Sequence, residues 1–159
     1  MTKPRILVAQ AIFPETVERL AQHFEVQTNQ DDVRWTPAEL ARQLADKDGA
    51  LTTGAQHIDA ALLAACPRLR VVANMAVGYN NLDVAAMTAA GVQGTNTPDV
   101  LTDTTADFGF ALLMAAARRI TEGEHYLRAG QWKDWRYDLL AGAEVHGSTL
   151  GIIGMGRIG

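Results

Sequence analysis

The chain has 159 residues, 48% apolar, 20% charged and 6% aromatic, which is the size of one ordinary domain and enough to bury a core without disulfide or metal staples. Fourteen Lys and Arg against eighteen Asp and Glu leave a net charge of −4. That balance offers no electrostatic footprint for nucleic acid or an anionic membrane, so the expected partners are small solutes or proteins. The single cysteine, Cys66, excludes an intrachain disulfide framework and fits a reducing compartment, with the cytoplasm as the expected location. The apolar run within residues 1–10 is too short for the core of a signal peptide, and no uninterrupted stretch reaches spanning length.

Short β-rich apolar runs alternate with segments of helical period. Arg5–Ala9 reads as a strand, followed by a helix that begins at Pro14 and turns Val17, Leu20, Ala21 and Phe24 to one face. A strand near Phe24–Gln27 follows. Thr36 before Pro37 is an N-cap with proline at the first helical position; Glu39 suits the helix dipole, and Leu40 and Leu44 form the buried stripe. Gly49 releases the chain into a strand over Ala50–Thr53. Ile58–Ala65 reads as a helix that stops ahead of Pro67, whose ring disfavours its continuation. Arg70–Asn74 is a strand, Asp83–Ala90 a short helix closed by Gly91, and Val92–Thr95 a fifth strand. Five βα-type units require a mostly parallel sheet covered by helices on both faces, so residues 1–100 are expected to form one α/β domain.

After Pro98 the texture changes. Leu101 to Ile120 runs almost without turn residues and is apolar nearly all round, which predicts a buried helix of roughly 30 Å, long enough to link two bodies. Arg118 and Arg119 fall near its C-terminus, where the dipole favours positive charge. Glu122–Ala129 resumes helix and Gly130 ends it. The stretch from Gln131 to Tyr137 is an irregular aromatic arm of the kind that oligomer interfaces bury, and Ser148–Ile153 reads as an apolar strand.

Three constellations carry candidate chemistry. Gly154-x-Gly156-x-x-Gly159 directly follows the expected last strand and fits the dinucleotide fingerprint, in which free backbone N–H groups capture a diphosphate; a Gly-rich turn without a ligand is the alternative. The chain reads as cut off there, ahead of the helix and of the residue about twenty positions on that separates NAD from NADP. In Val71–Asp83 a buried strand ends in a glycine-containing loop, and N–H groups near Val77 and Gly78 suit a carboxylate, although a plain structural turn accounts for the same residues. Thr95–Asp107 is another strand end feeding a helix, where Thr102, Thr104 and Thr105 are candidates to cap the first turn or to touch a cofactor. The four histidines do not suggest catalysis: His23 is expected on a surface helix, His57 in a loop, His125 on a second helix and His146 before Gly147, with no partnered carboxylate at a telling spacing and no metal pair. Cys66 reads as inert packing.

Taken together, the Ala76-Val77-Gly78-Tyr79-Asn80-Asn81-Leu82-Asp83 loop, the Asn96-Thr97-Pro98 to Asp107 segment, Ala116-Ala117-Arg118-Arg119, and Leu150 to Gly159 resemble the D-isomer-specific 2-hydroxyacid dehydrogenase family, its bacterial glyoxylate/hydroxypyruvate (2-ketogluconate) reductases in particular. The resemblance implies an α/β fold with a flavodoxin-like parallel-sheet substrate domain over residues 1–100. Residues 101–159 would then supply an interdomain helix, a dimerisation arm and the first strand of an incomplete Rossmann nucleotide-binding domain. It implies NADP or NAD as cofactor, a small 2-oxo or 2-hydroxy acid as substrate, and a homodimer. By matching positions, the backbone of Val77 and Gly78 would bind the substrate carboxylate. Leu101 and Thr105 would lie near the nicotinamide, and Gly154, Met155, Gly156, Arg157, Ile158 and Gly159 would wrap the diphosphate. Trp135 would reach the partner subunit's active site. The family's catalytic Arg, Glu and His follow the glycine motif and have no counterpart here, so this segment alone is expected not to turn over. A non-catalytic dimerising fragment, or a regulator on the same scaffold, is the competing expectation.

Overall fold

Residues 2–159 are described in a computed structural model. In chain order the elements are β1 (Arg5–Val8), α1 (Pro14–Ala21), β2 (Glu25–Thr28), α2 (Pro37–Leu44), β3 (Gly49–Thr52), α3 (Ala60–Ala65), β4 (Val71–Asn74), α4 (Val84–Ala90), β5 (Gln93–Thr95), α5 (Thr102–Ala117) and α6 (Ile120–Arg128). They fall into two units that meet in sequence at Val100 and Leu101.

In the first unit the strands pair only in parallel, in the order β2-β1-β3-β4-β5. This is the flavodoxin-like order of the doubly wound folds. Right-handed crossovers on that order put α1 on one face of the sheet and α2, α3 and α4 on the other. Strand alternation then sorts the side chains. Leu7 of β1, Ala50 of β3 and Val72 of β4 join Leu40 and Leu44 of α2, Leu62 and Leu63 of α3 and Met87 of α4 in one buried cluster, while Ile6 and Val8 face the α1 side. The local signals act as the sequence suggests. Thr36 Oγ1 accepts from the Glu39 N–H at 3.3 Å and the Glu39 carboxylate accepts from the Thr36 N–H at 2.8 Å, a complete capping box. Gly91 closes α4 with φ at +68°, a conformation that only glycine adopts freely.

Four expectations are corrected. Ile58 is not helical: its N–H donates to the Asn81 carbonyl and its own carbonyl accepts from the Asp83 N–H, both at 2.9 Å, and Asp59 caps α3 instead. Asp59 is a preferred N-cap, whereas a helix starting at Ile58 would have to use His57, and the fully buried Ile58 side chain serves the core. His23 lies in the turn after α1, not on the helix. The helix after Pro98 is neither continuous to Ile120 nor buried. It breaks at Arg118 and Arg119, where Arg119 takes a φ of +55° and pairs with Glu122. A segment from further along the chain is the cause: the Ala143 N–H donates to the Ala117 carbonyl at 2.8 Å, and a Cβ on Gly142 would lie 2.4 Å from that oxygen. No α5 residue is buried, and Phe108, Phe110 and Leu112 are all exposed. Finally, Ser148–Ile153 forms no strand, because no neighbouring strand of the second unit offers it a ladder. Among the described residues, no helix is long and apolar enough to cross a membrane.

At the amino ends of the strands, Asp48 accepts from the Arg5 N–H at 2.8 Å and from Arg68 Nη2 at 2.9 Å. The Arg5 N–H first, and Arg68 second, hold its carboxyl below the usual Asp range. A depressed folded-state pKa contributes stability that is present above the ordinary Asp range and is lost as pH falls through the folded value. Asp48→Asn should therefore lower stability at neutral pH by about 1 kcal/mol and flatten the acid side of the curve. Urea midpoints measured from neutral to acid pH check this, and wild-type and variant profiles that run parallel would refute it.

Candidate functional site

The carboxyl ends of parallel strands are where open α/β sheets bind ligands, and β4 ends there on a buried polar residue. Asn74 is 1% exposed, and its amide is fully used. Its Oδ1 accepts from Thr52 Oγ1 at 3.2 Å and from Asn81 Nδ2 at 3.2 Å; its Nδ2 donates to Asn81 Oδ1 at 3.3 Å and to the Gly78 carbonyl at 3.0 Å. Asn81, 3% exposed, also directs Nδ2 at the Thr53 and Gln56 carbonyls, at 3.1 and 2.8 Å. No buried side-chain nitrogen or oxygen among the described residues is left without a partner.

This network shapes the loop between β4 and α4. The Gly78 carbonyl is held by Asn74, the Val77 carbonyl by Asn96 Nδ2 at 2.8 Å, and the Ala76 carbonyl by the Thr97 N–H at 2.9 Å. With three successive carbonyls fixed inward, the N–H groups of Val77 and Gly78 donate to no acceptor of the chain among the described residues. Gly78 is exposed. The result is a pair of adjacent, immobilised donors at a loop tip, an arrangement suited to a small anion. Asp83 closes the loop as the N-cap of α4, accepting from the Ala86 N–H at 2.9 Å.

The structure thus brings Val77 and Gly78 together with the Asn96-Thr97 segment inside the first unit. The positioning residues Thr52, Asn74, Asn81 and Asn96 were not singled out from the sequence. The available signal was an asparagine ending an otherwise apolar strand, since a buried amide there must find partners.

The remaining candidates lie in the second unit. Leu101 precedes α5 without a side-chain cap; its carbonyl accepts from the Thr105 N–H at 2.9 Å and from Thr104 Oγ1 at 3.2 Å. The Thr104 hydroxyl therefore bonds a carbonyl, and none of the three threonines caps the helix from the N-cap position. Trp135 is 76% exposed in the aromatic arm, beside the exposed Trp132 and Tyr137. The Gly154–Gly159 segment is a loop without the strand and helix of the nucleotide fingerprint. Gly154 takes φ of +95°, and a Cβ on Gly159 would sit 2.3 Å from the Gly154 carbonyl oxygen, so the first and third glycines are demanded by the loop's closure on itself. At Gly156 an added Cβ would meet nothing within 4 Å, leaving bare backbone open to an approaching group. Met155, Arg157 and Ile158 are exposed around it. These residues fit the close approach of a diphosphate at Gly156, while the dipole of a following helix is not part of the described residues. Among the histidines, His125 and His146 lie 3.7 and 3.8 Å from the exposed Glu124 and Glu144. No group of three or more His, Cys, Asp and Glu among the described residues is placed to hold a metal.

A flavodoxin-like parallel sheet whose β4 loop presents paired backbone donors defines a doubly wound α/β domain. Residues 6–150 match the D-isomer specific 2-hydroxyacid dehydrogenase catalytic domain, and the chain belongs to that family. It is 45% identical over 158 residues to a glyoxylate reductase of Korarchaeum cryptofilum and 44% identical over 162 residues to one of Thermococcus kodakarensis, covering 99% of this chain in each case. It spans about half the length of these relatives, 48% of each. Among solved structures, a Thermus thermophilus protein superposes with a TM-score of 0.89 at 38% identity, over 97% of this chain and 50% of that one. An NADPH-dependent glyoxylate/hydroxypyruvate reductase from Sinorhizobium meliloti, in complex with NADP and malonate, superposes with a TM-score of 0.75 at 34% identity, over 99% of this chain and 48% of that one.

Removing the Asn81 side chain takes one donor and one acceptor from Asn74 and the Asn81 Nδ2 donor from the Thr53 and Gln56 carbonyls at once. Asn81→Ala should cost about 2–4 kcal/mol, more than the loss of one ordinary hydrogen bond, and should speed amide exchange at Leu82 and Asp83. Urea denaturation with hydrogen exchange reads both, and a variant as stable and protected as wild type would count against the network.

Proposed function

We propose that the chain provides the substrate-binding part of a reductase that converts a small 2-oxo acid (glyoxylate, hydroxypyruvate or 2-ketogluconate) to the D-2-hydroxy acid with NADPH or NADH. The observation that carries the reading is the pair of unpaired Val77 and Gly78 N–H groups, fixed at the end of β4 by Asn74 and Asn96. Two adjacent donors can serve the two oxygens of a carboxylate, and charge-assisted bonds of this type are roughly twice as strong as neutral ones. The malonate held by the Sinorhizobium reductase, a dicarboxylate, is consistent with such chemistry. In this reading Leu101 and Thr105 border the nicotinamide, and Gly154, Met155, Gly156, Arg157, Ile158 and Gly159 wrap the diphosphate. When bound, the dinucleotide supplies the hydride; the residues of this chain hold the acid and fix its orientation. Residues 1–100 are then the substrate domain, and residues 101–159 belong to the nucleotide domain and its dimerisation arm. Trp135 extends from that arm toward a partner subunit.

Asn96→Ala tests the anchor, because Asn96 Nδ2 holds the Val77 carbonyl of the peptide that carries the Gly78 N–H. Glyoxylate should shift the amide resonances of Val77 and Gly78 in the wild type, and the variant should bind it about tenfold more weakly, the worth of one bond to a charged group. Unchanged affinity would remove the anchor. The reading frame that encodes the chain, expressed to its stop codon, should oxidise NADPH or NADH in the presence of glyoxylate. Silence toward every small 2-oxo acid would favour the second reading, a non-catalytic dimerising or regulatory protein on the same scaffold.

The dimer is tested separately. The exposed Trp132, Trp135 and Tyr137 side chains of the arm, and the exposed Phe108 and Phe110 of α5, supply apolar area that supports it. Sedimentation should give a dimer whose dissociation constant rises about tenfold or more in Trp135→Ala, since aromatic anchors dominate such interfaces; a monomeric wild type would remove this part of the proposal.

A further inference from the structure

The first unit contains a concavity distinct from the Val77-Gly78 loop. A cavity of about 690 Å³ opens at the carboxyl ends of β1 and β3, where the strand order reverses, between the starts of α2 and α3. Its floor is the buried Leu40 and Leu62, and one wall is the half-buried indole of Trp35, which packs on the core. The helix residues beside them are small, Ala38, Ala41 and Ala61, and leave an apolar slot. Arg34 is the only Lys or Arg in the lining, and it makes no ion pair or hydrogen bond among the described residues. Asp32 and Asp59 are the two carboxylates. Each uses one oxygen on a backbone N–H, of Ala11 at 3.3 Å and Leu62 at 2.8 Å.

This rim is built in advance. Asn29, 6% exposed, accepts from the Val33 N–H at 3.1 Å and donates to the Ala9 and Val33 carbonyls at 3.1 and 2.9 Å, which locks the turn carrying Asp32 and Arg34. The far side of the cavity is wired to the candidate site. Gln56 lines it, its Oε1 accepts from the Thr53 N–H at 2.8 Å, and its carbonyl receives Asn81 Nδ2. Ile58, next to the lining residue His57, is bonded on both sides to Asn81 and Asp83. Asn81 holds Asn74, and Asn74 holds the Gly78 carbonyl. A ligand that displaces residues 55–57 therefore acts on the loop through two buried amides.

We propose that this cavity binds a zwitterionic solute with an apolar body, the simplest being a free aliphatic α-amino acid, and that its occupation is felt at Val77 and Gly78. The charge count selects the class. A bare acid would answer Arg34 but face Asp32 and Asp59, and a bare amine would answer the carboxylates but meet Arg34. A zwitterion satisfies all three, places its ammonium where Trp35 also attracts it, and buries its hydrocarbon on Leu40 and Leu62. The site stands on the cavity alone; only its consequence for substrate rests on reading Val77 and Gly78 as a carboxylate anchor.

The experiment is a titration of the chain with L-leucine, followed by calorimetry and amide resonances, beside 4-methylpentanoate and 3-methylbutylamine, which carry the same body with one charge each. Leucine should bind, shift the lining residues together with Val77 and Gly78, and bind at least about tenfold more tightly than either half-ligand. Arg34→Ala and Asp32→Asn, both at exposed side chains, should keep a native spectrum and each weaken leucine about tenfold. No leucine binding, equal binding of a half-ligand, or variants that bind like the wild type would overturn the site. Lining shifts without any change at Val77 and Gly78 would overturn the coupling. A separate glyoxylate titration distinguishes the two readings: if glyoxylate leaves Val77 and Gly78 unmoved while leucine binds, the carboxylate anchor fails and the leucine site stands.

Discussion

The first unit depends on one reciprocal pair of amides. Asn74 and Asn81 each donate to the other, both are nearly inaccessible, and through Thr52, Thr53, Gln56 and Gly78 they tie the ends of β3 and β4 to the start of α4. In a low-dielectric interior such bonds are strong when all are made, and an unmade one is costly. The loop therefore has a single low-energy arrangement, the one that turns its carbonyls inward. Outward N–H groups at Val77 and Gly78 are the geometric consequence, so the pair of open donors follows from the satisfaction of the core.

The same topology explains why a cavity and a donor-bearing loop occur at one end of the sheet. With β1 at the point where the winding reverses, the connections after β1 and β3 diverge to opposite faces, and the strand ends cannot both be covered. The space that remains is the cavity beside Trp35, and the next strand end, that of β4, carries the Val77-Gly78 loop. The segment from Thr53 to Ile58 separates them and bonds to both sides. Communication between the two needs no moving domain, only a small displacement of a segment already bonded to Asn81.

The second unit obeys different constraints. Its helix α5 is apolar on nearly all faces, yet no residue of it is buried, and Leu150, Ile152 and Ile153 lie exposed in an unpaired segment. Without a sheet of its own to pack on, an all-apolar helix in this unit has nowhere to place its surface, and a run of β-formers without a neighbour has no ladder to join. This exposed apolar surface is the observation behind the proposed dimer.

The sequence by itself determined the periodic part of the protein. Thr36 with Glu39, Gly91 and the apolar stripe of Leu40 and Leu44 act over a few residues, so the elements of the α/β domain and their parallel arrangement were legible from capping and spacing. The Val77-Gly78 loop was legible as a place, through its glycine and its position after a strand. Only the tertiary structure decided what that loop presents, because Asn74, Asn81 and Asn96 are distant in sequence from some of the carbonyls they hold. It also decided that Ile58 leaves the helix to bridge Leu82, that Gly142 breaks α5, and that Ser148–Ile153 stays unpaired. Each of these outcomes depends on a partner brought in from elsewhere in the chain, or on the lack of one among its neighbours, and local propensity carries no information about either.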